Sequence, residues 1–287
     1  MDQPMKLQDM CRTYGIRFKK SLGQNLLLDD NINRIMVDAA GLTTENDVLE
    51  IGAGLGALTR RLHPVARRVL SIEIDRSFMP CLEDQFSAVE NVVLFRGDVL
   101  NHPLDRLLDE LLPDPQRLTL VANLPYYITT PILFHCWESG VHFERLVIMV
   151  QAEVAHRMAA AVNSSDYGVL ALAAQLHADV DIVHQVPRTC FMPQPTVDSA
   201  IVRLRTHSAP RYGDLDKQFI MRVIRQAFSQ RRKTLRNTLA KAGVGGLSSE
   251  AVLEALEETG IDAGRRPQTL SLDEFAAVAR AVHSRRA

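Results

Sequence analysis

A chain of 287 residues is long enough for one well-filled core and a second smaller one, so two domains, or one domain with an appendage, are expected. Its 46% apolar and 23% charged residues match an ordinary soluble protein; no uninterrupted apolar run approaches the ~18 residues of a membrane span, and the N-terminus carries acidic Asp2 and no apolar segment, which predicts a cytoplasmic chain. The net charge of −1 gives no global sign of a polyanion partner, yet residues 201–245 hold eleven Lys or Arg against Asp214 and Asp216 alone, a pattern that fits either a phosphate-binding footprint or a solvated helix face.

In chain order, the first distinctive stretch runs from Arg17 to Leu27, basic and then polar around Gly23, and reads as a loop that folds over something. A helix is predicted over 30–40, with Ile32, Ile35, Met36 and Ala39 on one face and Gly41 at its end. A strand over 48–51 runs straight into Gly52-Ala53-Gly54-Leu55-Gly56, and a helix carrying Leu55, Leu58 and Leu62 follows. This strand, glycine turn and helix form the unit of a nucleotide-binding α/β fold, because glycines let the turn tighten and a ligand approach the backbone. The second strand, 69–73, ends in Glu73 about twenty residues beyond the glycines, where a carboxylate is placed to accept hydrogen bonds from two ribose hydroxyls. A third strand over 92–96 leads to Gly97-Asp98-Val99, in which Asp98 suits either an adenine amino contact or an Asx-turn.

The fourth strand, 118–122, opens into Asn123-Leu124-Pro125-Tyr126-Tyr127, and a helix is predicted from Thr130 as N-cap with Pro131 in the first helical position. A fifth strand over 146–150 precedes helices over 152–161 and 169–174. Strands over 180–186 and 200–205 are joined by a connector in which Phe191-Met192-Pro193-Gln194-Pro195 holds Phe191 in place. The clearest linker is 206–213; beyond it the pattern is helical, with an apolar stripe from Phe219 to Phe228, then Arg231-Arg232-Lys233, a short helix with Leu235 and Leu239, and helices over 249–259 and 271–283. The last begins with a capping box, Ser271 with Glu274. The four cysteines, Cys11, Cys81, Cys136 and Cys190, show no metal-ligand spacing, so buried reduced thiols and no metal are expected.

The glycine turn alone fits two cofactors: as G-x-G-x-x-A it suits a dinucleotide, and as E-x-G-x-G-x-G, from Glu50, it suits S-adenosylmethionine. Asn123-Leu124-Pro125-Tyr126 breaks the tie, since it resembles the Asn/Asp-Pro-Pro-Tyr signature of amino-methyltransferases. An exocyclic adenine nitrogen is a poor nucleophile because its lone pair is delocalised into the ring. Acceptance of its hydrogens by the Asn123 side chain and the Leu124 carbonyl favours a pyramidal nitrogen with a localised lone pair, an interaction stronger in the transition state than in the ground state. Tyr126 can stack on the base while Pro125 fixes the adjoining carbonyl.

Seven motifs, in order, carry a resemblance over about 250 residues: Lys19-Lys20 with 23–27, 50–56, 73–75, 97–99, 123–126, 191–199 and 231–237. Together they resemble the ribosomal RNA adenine dimethyltransferase family, and within it the members that dimethylate two adjacent adenosines near the 3′ end of small-subunit ribosomal RNA. The resemblance implies a Rossmann-like class I methyltransferase sheet over 1–207 and a small all-helical RNA-binding domain over 213–287. It also implies that Asn25, Leu27, Gly52, Glu73, Asp98 and Asn123 surround S-adenosylmethionine, and that Asn123, Tyr126 and Phe191 hold the target base; Gly54 of the same turn is expected to join the cofactor set, and Leu124 and Pro125, from their chemistry, the catalytic one. Lys19, Lys20, Arg231, Arg232 and Lys233 are expected to grip the RNA backbone. The implied partner is the pre-ribosomal 30S particle, met by a monomer with no metal and no membrane.

Leu26, Ala152 and Thr196 depart from the residues usual in the family, which removes an aromatic contact and two basic ones. Leu124 in place of a second proline is a candidate for making room for a second methyl group. The rival readings are a DNA or large-subunit RNA methyltransferase, an RNA-binding assembly or transcription factor for which methylation is secondary, and a nicotinamide oxidoreductase.

Overall fold

Strands covered on both faces need apolar side chains on both faces, and the first two thirds of this chain supply a series of them. The computed structural model describes residues 7–19, 22–213, 215–230 and 232–286, so Lys20 and Arg231, both expected to contact RNA, lie outside the described residues. Helix α1 (Leu7–Thr13) and the short strand β1 (Leu26–Leu27) precede α2 (Asp30–Ala40), which starts on an Asp29 cap accepting from the Asn31 N–H and stops at Gly41 in the left-handed region. The alternation then begins: β2 (Asp47–Ile51), α3 (Thr59–Leu62), β3 (Arg68–Glu73), α4 (Met79–Phe86), β4 (Val92–Arg96), α5 (Leu104–Leu111), β5 (Thr119–Asn123), α6 (Thr129–Glu138), β6 (Arg145–Gln151). After α7 (Ala152–Met158) and α8 (Val169–His177) come β7 (Ala178–Val186), β8 (Phe191–Met192) and β9 (Ser199–Thr206), and the chain finishes with α9 (Lys217–Ala227), a π-helical turn over Arg236–Ala240, α10 (Ser249–Glu258) and α11 (Leu272–Ser284).

The seven-stranded sheet has the order β4-β3-β2-β5-β6-β9-β7. Neighbours from β4 to β6 are parallel, and β9 runs antiparallel to β6. The strand order reverses between β2 and β5, the switch point at whose carboxyl ends open α/β sheets bind ligands. A second, two-stranded sheet pairs β1 with β8, setting Leu26 opposite Met192 and Leu27 opposite Phe191. This is the class I methyltransferase arrangement expected of the sequence, and none of the described helices is long and apolar enough to cross a membrane.

The chain divides into two compact units, one comprising the residues up to Ala155 together with Asp181–Thr206, the other His156–Val180 together with His207–Ala287. In the first, α2 places Ile32, Met36, Ala39 and Ala40 in a buried cluster with Val48, Val69, Val121, Val147 and Met149 of the sheet. At the amino ends of the strands, Asp47 has a side chain sealed from solvent that accepts from Arg67, Arg68 and the Gln116 N–H. Burial alone would raise the Asp47 carboxyl, but the two guanidinium groups and the amide outweigh it and hold it at about 2. In the second unit, Phe219, Ile220, Val223, Ile224 and Ala227 form the buried face of α9, and α11 starts on the Ser271–Glu274 capping box. The buried Tyr167 hydroxyl donates to the Leu270 carbonyl, tying the segment before α8 to the turn before α11.

Candidate active site

Three strand ends supply the site. Beyond β2 the chain turns through Gly52, Gly54 and Gly56 at φ values of +82°, +59° and +81°, which side-chain-bearing residues rarely adopt. Close approach adds a second reason at two of them: a Cβ at position 54 would lie 3.1 Å from a Leu26 methyl, and one at position 56 would lie 2.5 Å from the Phe86 ring. The turn is therefore clasped by α4 on one side and by β1 on the other.

Glu73 closes β3, and at 5% exposure its carboxylate is enclosed. One oxygen accepts from the Gly54 N–H at 2.8 Å and the other from the Asp75 N–H at 2.7 Å. Each carboxylate oxygen has a further lone pair, so the group can still accept from two hydroxyls of a ribose. Burial pushes the Glu73 carboxyl up, against the pull of its backbone N–H partners. Beneath it, Glu50 is wholly buried; one oxygen accepts from Thr59 Oγ1 at 2.6 Å and Ser71 Oγ at 2.5 Å, and the other has no hydrogen-bond partner among the described residues. Burial drives the Glu50 carboxyl up to about 7, with Glu73 adding to the rise and the two hydroxyls opposing it.

At the end of β5 the Asn123 amide Nδ2 donates to the Asn25 carbonyl at 3.5 Å, and among the described residues no donor is bonded to Asn123 Oδ1. Leu124 is buried, and its N–H donates to the Met149 carbonyl at 3.1 Å, which carries the β5–β6 pairing one residue past the strand. A proline cannot make that bond, so Leu124→Pro alters the backbone as well as the room around it. Pro125 leads into a 3-10 turn over Tyr126–Ile128. The helix after it starts at Thr129, one residue before the predicted cap, and the Thr129 hydroxyl donates to the Pro125 carbonyl rather than capping. The Tyr126 hydroxyl sits 2.6 Å from Ser199 Oγ, and burial raises the phenol's pKa while that hydrogen bond lowers it.

These groups meet around two cavities. The smaller, of about 70 Å³, brings together Asn25, Gly52, Gly54, Glu73 and the run Asn123, Leu124, Pro125 and Tyr126. The larger, of about 480 Å³, shares Leu26, Gly52, Gly54 and Asn123 with it and reaches past Leu27 to Asn33 and Arg60. Leu26 thus stands where the two meet. Other expected site residues lie apart from these walls. Asp98 caps a 3-10 turn, accepting from the Leu100 N–H at 3.0 Å, which is the Asx-turn alternative. Phe191 is 3% exposed and belongs to the buried cluster with Met149, Val186 and Ile201. Lys19 pairs with Asp75 at 2.6 Å, and Arg232 and Lys233 are exposed in the second unit. Sequence reasoning missed Gln24, Asp75 and Ser199 as partners within the site; only the spacing of Asp75 and Ser77, which suits a side chain bonding two residues ahead, hinted at a local role.

The donor set suits an adenosyl cofactor: a buried carboxylate with lone pairs to spare sits beside a glycine turn, one strand away from an amide with a free acceptor. Among the described residues no group of three or more His, Cys, Asp or Glu could hold a metal ion. A sequence profile described as "Ribosomal RNA adenine dimethylase" matches residues 15–283. A protein of Bacillus licheniformis named "Ribosomal RNA small subunit methyltransferase A" is 42% identical over 274 residues, covering 95% of this chain and 94% of that protein. The protein of the same name from Geobacillus thermodenitrificans is 42% identical over 280 residues, covering 97% and 96%. Among solved structures, a dimethyladenosine transferase from Plasmodium falciparum superposes with a TM-score of 0.74 at 27% identity, over 88% of this chain and 95% of that one. The 23S rRNA methyltransferase ErmE superposes at 0.64 with 27% identity, over 90% and 100%.

Proposed function

The chain belongs to the ribosomal RNA adenine dimethylase family, and from that premise we propose that it methylates N6 of two adjacent adenosines near the 3′ end of small-subunit ribosomal RNA, giving dimethyladenosine. The observation that carries the reading is the shared cavity in which Glu73 and the glycine turn face Asn123, Leu124, Pro125 and Tyr126. S-adenosylmethionine, when bound, supplies the electrophilic methyl group. The Glu73 carboxylate accepts from the ribose, while Asn25, Leu27, Gly52 and Gly54 enclose the rest; Asp98, whose carboxylate keeps lone pairs beyond its cap, receives the cofactor's adenine amino group. Asn123 Oδ1, with no protein donor among the described residues, and the Leu124 carbonyl accept from the target amino group and localise its lone pair.

The alkylated amine is acidic and loses its proton readily, so no strong general base is required. Tyr126 lies under the base, its hydroxyl anchored by Ser199. Phe191, expected as the second stacking face, is buried in the core cluster and pairs with Leu27 across β1–β8. An adenine within a duplex or stack cannot present N6 to such a cavity, so the target is unpaired or flipped. Arg232 and Lys233, with Lys20 and Arg231 of the same motifs, hold phosphates.

The small subunit is favoured over the large because two relatives at 42% identity carry its name, whereas the large-subunit enzyme is 27% identical. The natural substrate is then the pre-ribosomal 30S particle, met in the cytoplasm by a monomer. Incubation with radiolabelled S-adenosylmethionine and undermethylated small subunits, followed by nucleoside analysis, tests this directly. Labelled dimethyladenosine in small-subunit RNA is expected; label confined to large-subunit RNA, or absent from RNA, overturns it.

A further inference from the structure

Residues 16–19 and 22–25 form neither α-helix nor strand; Ile16 is anchored in a buried apolar cluster and Leu26 by the β1–β8 pairing, and between them side-chain hydrogen bonds hold the stretch that brings Asn25 to the cavity wall. Those hydrogen bonds converge on the carboxylate of Asp75. Its side chain is fully shielded from solvent, and it accepts four hydrogen bonds: from Lys19 Nζ at 2.6 Å, Gln24 Nε2 at 2.6 Å, Ser77 Oγ at 2.8 Å and the Ser77 N–H at 2.9 Å. The Lys19 N–H donates in turn to Gln24 Oε1 at 2.7 Å, so Lys19, Gln24 and Asp75 close a triangle. On its other side, the Asp75 N–H is bonded to Glu73. The same residue therefore touches both the carboxylate of the cofactor site and the segment that covers it.

We propose that Asp75 is a positioning residue for cofactor binding, latching the N-terminal segment over the glycine turn through Gln24 and Lys19, and that Lys19 serves this latch rather than an RNA phosphate. A buried carboxylate is tolerated only while it is paired and hydrogen-bonded. Moving the Lys19 ammonium out to a phosphate removes the only cation bonded to Asp75 among the described residues, a loss that a screened surface contact does not offset. Burial alone would raise the Asp75 carboxyl, yet Lys19, Ser77 and Gln24 together hold it at about 2, which keeps the latch charged throughout the working range. From Gln24 the constraint passes along the chain. Gly23 packs on the Tyr127 ring, the Asn25 carbonyl accepts from Asn123, and Leu26 lies against Gly54.

The reading rests on the cofactor assignment above, and its test separates the two. In the unliganded protein, hydrogen exchange at the amides of residues 22–28 is expected to quicken by about tenfold or more in both Lys19→Met and Asp75→Asn, whatever the cofactor. In the methyl-transfer assay, both variants are expected to raise KM for S-adenosylmethionine, and Kd for S-adenosylhomocysteine, about tenfold, with kcat at saturation and RNA affinity within twofold of the parent. The double variant should be no worse than the worse single one, and Lys19→Arg should recover most of the loss. Lys19→Met keeps the test open if Asp75→Asn folds poorly, because Lys19 is half-exposed. Unchanged exchange, multiplicative effects in the double variant, or a loss seen in RNA affinity and its salt dependence but not in cofactor affinity overturns the latch. A parent protein that transfers no methyl overturns the function instead and leaves the exchange result to decide the latch.

Discussion

Glu50 is a residue whose surroundings strongly disturb its chemistry. Its carboxyl is wholly buried and pushed up to about 7, so in the folded chain ionisation costs free energy that the unfolded chain does not pay. The sign follows: the cost is absent below the ordinary value near 4.5, grows as pH rises through 7 and is complete above it. At ~1.4 kcal/mol per unit, the folded state at pH 8 carries a burden of about 3 kcal/mol from this group. Glu50→Gln removes the ionisation and adds a pH-independent cost where the unpartnered oxygen stood. Urea unfolding at pH 5 and pH 8 should therefore show the variant gaining ~2–3 kcal/mol relative to the parent between the two values; a constant difference would mean that Glu50 does not titrate here. Asn123 is the complementary case, an acceptor with no protein donor among the described residues. Asn123→Ala should lower kcat by about two to three orders of magnitude while leaving RNA Kd within twofold, because the lost acceptor acts on the developing charge and not on the backbone grip.

At the scale of elements, apolar runs made the sheet legible. Strands expected over 48–51, 69–73 and 92–96 are found within one residue: β2 and β3 are buried on both faces, and the half-buried edge strand β4 still carries the apolar run Val92 to Phe95. The helix over 30–40 was equally plain from its glycine stop. The helix after the glycine turn was overdrawn. Leu55, Leu58 and Leu62 are in helical register, but the left-handed backbone at Gly54 and Gly56 bars any helix from starting between them, and only Thr59–Leu62 is helical. The chain passes between its two compact units three times: after Thr206, at the start of the 206–213 linker, and inside α7 and β7, where composition marks nothing. The Asp75 triangle was invisible for another reason: Lys19 and Asp75 are 56 residues apart, and such pairing leaves no periodic trace. The turn itself gives a prediction. Gly56→Ala must hold a Cβ 2.5 Å from the Phe86 ring at φ +81°, combining overpacking with backbone strain, so it should cost about 2–4 kcal/mol in chemical denaturation. A loss below about 0.5 kcal/mol would show that α4 yields freely.

For the whole molecule, charge distribution matters more than charge. A chain of net −1 has no long-range pull on a polyanion, so RNA affinity must come from local clusters, and residues 201–245 are where positive charge is concentrated. Arg232 and Lys233 are both exposed there, whereas Lys19 is tied to a buried carboxylate. Cations in the two situations should respond differently to salt. Each phosphate contact releases condensed counterions and adds roughly 0.7 to 0.9 to the slope of log K against log salt. Replacing both Arg232 and Lys233 with Gln should then flatten that slope by about 1.4 to 1.8 and weaken RNA binding most at low salt, with Tm and S-adenosylhomocysteine affinity unchanged because neither side chain is packed. Lys19→Met should do the reverse, leaving the slope alone while cofactor affinity falls. Filter binding of small-subunit RNA between 50 and 300 mM salt separates the two classes. If the slope stays fixed when Arg232 and Lys233 are neutralised, the basic stretch is a solvated helix face and the RNA grip lies elsewhere on the chain.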